Sequence, residues 1–297
     1  MPDTYLKARL EALHAAQNPD GGWGYFPGKE SWLEPTAYAA MALHGDPASD
    51  RAWKLMLGWQ LPDGSWRPSA KVNQSSWATS LCVQIAAARG EFGEPFQKGV
   101  NWLLNTSGVD QDFMSRFLVA FGFAKAEGSS SGKGWSWKLN NSSWVEPTSH
   151  ALTALRKAAP KVSNSDSQKI LRERIRTGEQ QLMEVRSRDG GWNYGSPEVI
   201  GMDLPSYPET TALALVGLQG TKGLENAFTL ASTMMQSTPS PLGHAWLTIA
   251  MRLHGMAVGE LTGNPSRGVS HDIMITSVEA ISAAEGNWKL MQLGGAA

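Results

Sequence analysis

Residues 17–23 read Gln-Asn-Pro-Asp-Gly-Gly-Trp, and after a short polar spacer residues 32–36 read Trp-Leu-Glu-Pro-Thr, followed by a run of small and apolar residues. Related phrases recur three more times along the chain, with their tryptophans at Trp66, Trp135 and Trp192. Because self-similarity along a chain is typical of repeat architectures, we expect equivalent structural units. The turns of these units are predicted near residues 17–23, 60–66, 134–137 and 186–192.

Each phrase predicts a turn that is followed by a helix. An Asp-Gly pair such as Asp20-Gly21 favours a turn, because glycine reaches positive φ at little cost and aspartate bonds nearby backbone. The tryptophan after the turn is large and apolar, so we expect Trp23, Trp66 and Trp192 to pack against neighbouring elements. The next segment is rich in Ala, Leu and Thr and lacks a strongly polar face, which indicates a helix that is buried on most sides.

The spacing Gln-x-x-x-Gly-x-Trp at residues 17–23 and 60–66 resembles the QW repeat of squalene-hopene cyclases and other class II terpene cyclases. Related repeats occur in the β-subunits of protein prenyltransferases. The resemblance extends over roughly residues 6–253 and implies an α/α toroid, in which inner helices surround a central cavity and outer helices lie outside them. The third turn departs from the pattern with Arg186 in place of Gln, and the phrase at Gly134 also lacks the Gln.

Helical periodicity continues along the rest of the chain. It predicts an all-α fold, namely an α/α toroid of about five to six helical hairpins that forms a single domain over residues 1–297. Outer helices are expected near residues 3–16, 47–59, 95–104, 166–185 and 224–235. Inner helices are expected near residues 35–43, 74–89, 147–159, 209–219 and 241–256. Two further helices are expected at 110–126, where Phe113, Phe117 and Phe121 share a face, and at 272–284.

Composition excludes several classes of function. A net charge of -1 gives no basic footprint for nucleic acid, and one cysteine excludes an intramolecular disulfide. Charged residues make up 18% of the chain, below the usual share of about 25%, whereas 13 tryptophans are present. No apolar run of 18 residues predicts a transmembrane segment, and the first 13 residues lack the apolar core of a signal peptide. We therefore expect a cytoplasmic protein.

Three glutamates, Glu34, Glu146 and Glu209, stand at the predicted starts of inner helices. In a closed ring these starts face one mouth, so we expect the three carboxylates to converge at its rim. One hypothesis is a catalytic acid or base whose pKa is set by burial and by like-charged neighbours. The alternative is a set of first-turn residues that match the helix dipole, which their repetition favours. The prolines after Glu34 and Glu146 are expected at the first helical position.

The catalytic motifs of the resembling families are absent from the chain. Class II cyclases protonate an alkene with Asp-x-Asp-Asp, and the nearest match, residues 110–112, reads Asp-Gln-Asp and is placed to cap a helix. Protein prenyltransferases bind zinc with Asp, Cys and His, but Cys82 lies among apolar residues and no third ligand is spaced with His150. The Asp-Asp-x-x-Asp of class I synthases is also missing. We predict no metal and no cofactor.

Aromatic residues supply the remaining candidates for ligand binding. Aromatic faces can stabilise a carbocation or stack on a sugar, and they can equally be the packing that closes a repeat protein. Several of them precede or open the predicted inner helices, and one belongs to the phenylalanine face. The candidate ligand-binding residues, with one histidine near an inner-helix start, are Trp32, Trp77, Phe117, Trp144, His150 and Tyr207.

These observations predict a squalene-cyclase- or prenyltransferase-like repeat protein that binds an isoprenoid or similar apolar small molecule in a central cavity. If it is an enzyme, an isomerase or a transferase, we expect acid-initiated cyclisation or isomerisation by Glu34, Glu146 or Glu209. One alternative is a carbohydrate-active toroid, since glycosidases and polysaccharide lyases use such rings with Trp platforms and paired carboxylates. Another is a non-catalytic scaffold that binds a lipid or a protein.

Overall fold

The computed structural model describes residues 3–108, 133–199, 202–258 and 268–293. Within these ranges the secondary structure is almost entirely helical, as predicted. The eleven helices are α1 (Asp3–Ala16), α2 (Leu33–Ala42), α3 (Pro47–Leu57), α4 (Thr79–Ala88), α5 (Glu94–Asn105), α6 (Val145–Ala158), α7 (Ser165–Glu184), α8 (Pro208–Gly217), α9 (Glu225–Ser237), α10 (Pro241–Leu253) and α11 (Ile273–Ala283). Two 3₁₀ turns, Ala159–Lys161 and Asn287–Met291, and a short antiparallel pair, β1 (Glu198–Val199) with β2 (Met202–Asp203), complete the described part.

Six of the described helices form a closed inner ring. Each packs on the next in the order α2, α4, α6, α8, α10 and α11, and α11 returns to α2. The outer helices α3, α5 and α7 pack on α2, α4 and α6, α9 packs on α8 and α10, and α1 packs on α11. The buried salt bridge from Arg9 to Glu279, 2.9 Å long, joins α1 to α11. The arrangement is the predicted all-α toroid.

The four repeated tryptophans make the same two hydrogen bonds. Each indole N–H donates to a carbonyl of the preceding outer helix, at Leu13, Met56, Leu103 or Leu182, over 2.8, 2.8, 3.0 and 2.6 Å. Each backbone N–H donates to a hydroxyl in the first turn of the following inner helix, at Thr36, Thr79, Thr148 or Thr211. All four side chains are buried. The predicted packing role of Trp23, Trp66 and Trp192 is therefore confirmed.

Arg186 reproduces the hydrogen bonds of the glutamine that it replaces. The Gln17 side-chain amide donates to the Gly21 carbonyl in its own turn at 2.8 Å and to a carbonyl of the next outer helix at 2.9 Å. In the third turn, Nε of Arg186 donates to the Gly190 carbonyl at 2.9 Å, and Nη1 donates to the Gly223 carbonyl at 2.8 Å. Arg186 thus conserves the acceptor within the turn, whereas its second acceptor, Gly223, lies just before α9 and not within it.

The turn at Gly134 is secured by an arginine from elsewhere in the sequence. The guanidinium of Arg174, on α7, lies 3.4 Å from the centre of the Trp135 ring. It also donates to the carbonyls of Thr106 at 2.9 Å and Gly134 at 3.0 Å. Burial lowers the pKa of Arg174 to about 10, which still leaves it charged at neutral pH.

Three predicted helix starts are wrong in detail. Helix α4 begins at Thr79 and not near residue 74, because the Ser76 N–H donates to the Trp66 carbonyl at 3.0 Å and holds the preceding segment extended against the turn. Pro35 and Pro147 are the third residues of their helices and not the first. These positions still tolerate proline, because the first four N–H groups of a helix have no partner within it. The helix predicted at 110–126, with Phe113, Phe117 and Phe121, lies outside the described residues.

Residues 287–293, which we call the C-terminal seal, cover the end of the ring where the inner helices terminate. Their 3₁₀ turn packs on α2, α4, α10 and α11. The Asn287 amide donates to the Ala42 carbonyl at the end of α2, at 2.6 Å. From the ends of α8 and α6, Gln219 and Lys157 each donate to a carbonyl of the seal at 3.0 Å. The seal therefore joins helix ends from three parts of the ring.

Candidate functional site

Helices α2, α6 and α8 begin in the same way, at the opposite end of the ring from the seal. Each is preceded by an extended aromatic N-cap residue with φ between -129° and -113°, and each carries a glutamate in its first turn. We call this set the rim: Trp32, Glu34, Trp144, Glu146, Tyr207 and Glu209. The aromatic side chains of Trp144 and Tyr207 are 36% and 39% exposed, whereas Trp32 is half-buried. The structure thus places both kinds of predicted site residue at equivalent positions.

The rim glutamates act electrostatically on common neighbours. The charge of Glu34 raises the pKa of Glu146. The pKa of Tyr194 is raised by burial and by the charges of Glu209 and Glu146. The pKa of Tyr25 is raised by burial and by the charges of Glu34, Asp272 and Glu146. The first turns of α2, α6 and α8 place all three glutamates at the same end of the ring, and they act on these common neighbours.

Glu146 is the rim carboxyl with the most perturbed environment. Its side chain is partly buried, and within the described part of the chain no group donates a hydrogen bond to it. Burial, followed by the charge of Glu34, raises its pKa to about 8. At neutral pH Glu146 therefore carries its proton, and it can deliver that proton to a bound molecule.

Glu34 has a donor. The Tyr25 hydroxyl donates to its Oε2 at 2.6 Å, which favours the ionised carboxylate. Burial raises the pKa of Glu34, the hydrogen bond from Tyr25 lowers it, and the charge of Asp272 raises it. Asp272 caps α11 by accepting from two backbone N–H groups, and the Tyr25 carbonyl accepts from the Ile273 N–H at 2.9 Å. Tyr25 therefore connects the starts of α2 and α11.

Glu209 is held by the next inner helix. The Ser240 hydroxyl donates to its Oε1 at 2.6 Å. Ser240 is also the N-cap of α10, where its Oγ accepts from the Gly243 N–H at 3.0 Å. A Cβ at residue 243 would lie 3.0 Å from the Glu209 carboxylate, so glycine allows the close approach. This glutamate fits the structural alternative, because it secures a neighbouring helix start.

One helical turn below the rim, a second layer crosses the ring. Tyr38 stands four residues after Glu34 on α2, and His150 stands four residues after Glu146 on α6, so each pair shares a helix face. The Tyr38 hydroxyl and His150 Nε2 lie 3.0 Å apart, and both side chains are buried. Burial lowers the pKa of His150 to about 3, so its imidazole is neutral at physiological pH.

Trp246 of α10 completes this layer. Its ring meets those of Tyr38 and His150 edge to face, with both centroid distances at 5.8 Å. Trp77 lies 5.6 Å from His150, and the Gln84 amide donates to the His150 carbonyl at 3.1 Å. Because α2, α6 and α10 alternate around the ring, side chains that meet from all three lie at its axis. We call these five residues the central floor.

The structure therefore divides the predicted ligand-binding residues between two levels. Trp32, Trp144 and Tyr207 lie at the rim, whereas Trp77 and His150 belong to the central floor beneath it. Phe117 lies outside the described residues. Four further contributors are absent from the sequence prediction: Tyr25, Tyr38, Trp246 and Asp272. The i, i+4 spacing from the rim glutamates is the signal that finds Tyr38, and it also accounts for His150.

An aromatic surface continues outward from the rim. The rings of Tyr194 and Tyr207 lie 5.3 Å apart. The Tyr194 carbonyl accepts from the Val145 N–H at 2.9 Å, which fixes this loop to the start of α6. A Cβ at Gly195 would lie 3.2 Å from the Trp144 ring, so the missing side chain allows the indole to pack on the backbone. Exposed aromatic rings thus lie at the starts of α6 and α8.

Other chemistries find little support in the described ranges. Within them, no three His, Cys, Asp or Glu side chains are grouped closely enough to hold a metal ion. Cys82 is fully buried, and burial raises the pKa of its thiol well above the usual value. No helix in those ranges is both long and apolar enough to cross a membrane.

Comparison with protein families finds no family that matches the chain. A comparison with curated proteins likewise finds no match.

Solved structures do share the fold. The chain is similar to the apo type II terpene cyclase MstE from Scytonema, with TM-score 0.55 and 19% identity over 84% of this chain and 72% of that one. A variant of MstE in complex with its substrate, geranylgeranyl dihydroxybenzoate, gives TM-score 0.52 and 17% identity, over 95% and 76%. Rex8A from Paenibacillus barcinonensis, complexed with xylose, gives TM-score 0.59 and 10% identity, over 100% and 95%. At such low identities, these similarities establish the α/α toroid fold, which terpene cyclases and Rex8A share.

Proposed function

We propose that this chain binds an isoprenoid or similar apolar molecule at the rim, above the central floor, and that Glu146 protonates an oxygen of that molecule. The observation that carries the proposal is the Glu146 carboxyl, whose pKa of about 8 and lack of a described hydrogen-bond donor leave its proton free for transfer. The comparison with MstE, whose substrate is prenylated, supports the same ligand class.

The pKa of Glu146 restricts the reaction. A carboxyl with a pKa of about 8 is a weak acid, and alkene protonation requires a much stronger one. An epoxide oxygen is a far better acceptor. Proton transfer from Glu146 to that oxygen breaks a C–O bond and leaves a hydroxyl and a carbocation, which an alkene of the same molecule attacks. The Glu146 carboxylate then recovers a proton from the final cation, so the overall reaction is an isomerisation.

The aromatic surroundings suit this chemistry. The rings of Tyr38, Trp77 and Trp246 belong to the central floor one helical turn below the rim, and Trp144 is the N-cap residue of the helix that carries Glu146. Aromatic faces stabilise cations by about 0.5–2 kcal/mol each, depending on desolvation.

Incubation with the terminal epoxide of geranylgeraniol, and separately with geranylgeraniol itself, tests the proposal. We expect gas chromatography with mass spectrometry to find isomers of the epoxide and unchanged geranylgeraniol. Glu146→Gln should abolish conversion, whereas Glu209→Gln should retain most of it, because Glu209 is engaged by Ser240. Equal conversion by wild type and Glu146→Gln would refute the assigned acid.

A carbohydrate substrate is the second candidate, and the exposed rings of Trp144 and Tyr207 beside two coupled carboxyls favour it. Protonation of a glycosidic oxygen also suits an acid of raised pKa. The similarity to Rex8A, solved with xylose, supports this class at the level of the fold. Release of reducing sugar from xylo-oligosaccharides, lost in Glu146→Gln, would select this candidate over the first.

A further inference from the structure

Tyr25 lies between the starts of α2 and α11 and makes polar contacts with both. Its hydroxyl donates to Oε2 of Glu34 at 2.6 Å, and its backbone carbonyl accepts from the Ile273 N–H at the start of α11. Its ring lies 6.2 Å from that of Trp32, the N-cap residue of α2. One residue thus contacts both sides of the junction where the ring closes, and its only side-chain hydrogen bond among the described residues goes to a rim carboxylate.

The rim glutamates differ in what donates to them. Glu34 receives the Tyr25 hydroxyl and Glu209 receives the Ser240 hydroxyl, whereas no described group donates to Glu146. Donation to a carboxylate favours its ionised form, and a neighbouring carboxyl then retains its proton more strongly. The rim glutamates therefore differ in their hydrogen-bond donors, in addition to the burial that is the largest cause of the raised pKa of Glu146.

We propose that Tyr25 is a positioning residue of the rim, which holds Glu34 as the ionised partner and thereby leaves the transferable proton on Glu146. This inference rests on the proposed function for its catalytic meaning, but the geometry that carries it is independent of any substrate. Tyr25 acts through Glu34, and it contacts Glu146 only by way of the electrostatic field.

The ionisable groups around Glu146 support this assignment. The described groups that act on these carboxyls and hydroxyls are Glu34, Glu209, Asp272, Tyr25, Tyr38 and Tyr194, with the neutral imidazole of His150 below them. Two more histidines stand at this end of the ring, His244 in the first turn of α10 and His271 before the Asp272 cap. Within the described ranges, no lysine or arginine contributes to the pKa shift of Glu34 or Glu146. Among the described groups, the hydroxyl of Tyr25 donates to Glu34 and none donates to Glu146, so hydrogen bonding distinguishes the two carboxyls.

Carbon NMR on protein labelled at the glutamate carboxyl carbons tests the proposal directly. Glu34→Gln and Glu146→Gln assign the two resonances. In Tyr25→Phe, which keeps the ring beside Trp32 and the backbone carbonyl, we expect the Glu34 midpoint to rise and the Glu146 midpoint to fall, each by about one pH unit. In Glu34→Gln the Glu146 midpoint should fall by a similar amount. The matched control Tyr194→Phe removes the hydroxyl of another tyrosine near the rim and should leave the Glu34 and Glu146 midpoints unchanged.

The opposite directions of the two midpoint shifts distinguish a positioning role of Tyr25 from a general structural effect of its replacement. If Tyr25→Phe merely loosened the rim, solvent would lower both midpoints toward their ordinary values, and that result would overturn the proposal. Unchanged midpoints would overturn it as well. Should Tyr25→Phe fail to fold, Tyr25→3-fluorotyrosine keeps the shape and strengthens the donor, and we then expect the Glu34 midpoint to fall. Because no measurement here requires turnover, an inactive epoxide assay would refute the proposed function alone.

Discussion

The hydroxyl of Tyr38 and Nε2 of His150 meet at 3.0 Å in the middle of the inner ring, each four residues below a rim glutamate. This contact couples two helices that are not neighbours in the ring, since α4 lies between α2 and α6. Both side chains are buried, so neither partner can replace the bond with bulk water. The contact thus supports the layer on which any ligand at the rim would rest.

Tyr38→Phe should lower the free energy of unfolding by about 1–3 kcal/mol, because it leaves a buried imidazole nitrogen without its partner. Urea denaturation at neutral pH measures the change. Tyr194→Phe is the control, since Tyr194 is 45% exposed and its change should stay within about 0.5 kcal/mol. Equal losses in the two variants would contradict the role assigned to the Tyr38–His150 contact.

Stability should depend on pH through Glu146. Its pKa rises from 4.5 in the unfolded chain to about 8 in the folded protein, so the folded state binds more protons between these values. Stability is therefore full below about pH 4.5 and decreases as the pH rises toward 8. Glu146→Gln removes this loss, and at pH 9 we expect the variant to be more stable than wild type by roughly 1–3 kcal/mol.

Denaturation at pH 5, 7 and 9 measures this effect. Glu209→Gln serves as the comparison, because its carboxylate already accepts the Ser240 hydroxyl, and it should retain the wild-type decrease. A decrease of the same size in Glu146→Gln would show that another group causes it.

Glutamine, the residue that the third turn lacks, should be able to replace Arg186. Arg186→Gln provides an amide for the Gly190 carbonyl, as Gln17 does for Gly21, and should change stability by less than about 1 kcal/mol. Arg186→Met keeps the length of the side chain but donates to neither carbonyl, so we expect a loss of about 1–3 kcal/mol. Thermal denaturation of both variants shows whether the two hydrogen bonds of Arg186 or its positive charge contribute to stability.

The second turn should not tolerate a side chain at Gly64. This residue has φ of 91°, and an added Cβ would lie 2.4 Å from the Lys98 carbonyl oxygen. We expect Gly64→Ala to cost about 2 kcal/mol or more, through backbone strain and this clash. Gly28 has a positive φ of 73° with open space around it, so Gly28→Ala should cost only about 1 kcal/mol. Similar losses would mean that the turn can move away from α5.

The recurring tryptophan phrase predicted the toroid and most helix positions, because each turn and the helix after it are encoded within about twenty residues. The convergence of Glu34, Glu146 and Glu209 followed from the repeat by the same reasoning. Local pattern could not distinguish the three glutamates from one another. Their differences arise from Tyr25 and Ser240, which belong to loops and caps outside the repeated phrase.

Contacts between distant residues account for the features of the fold and the site that the sequence did not predict. Arg174 takes the place of the missing glutamine at Trp135 from 39 positions away, a relation that no spacing rule predicts. The central floor also depends on ring geometry, since Tyr38, His150 and Trp246 meet only when three alternate helices face one axis. His150 stood out in the sequence near a helix start, but its depth in the ring became clear only from Tyr38.

The C-terminal seal gives the molecule the topology of a cup and not of a tube. Asn287, Gln219 and Lys157 fasten it across the far end of the described ring, so under the proposed function a ligand arrives and departs on the side of the rim. A long polymer could present one terminus to Glu146, but it could not be threaded through the ring and advanced stepwise. Under the proposed function, product must leave along the route by which substrate came, so each encounter is a separate event.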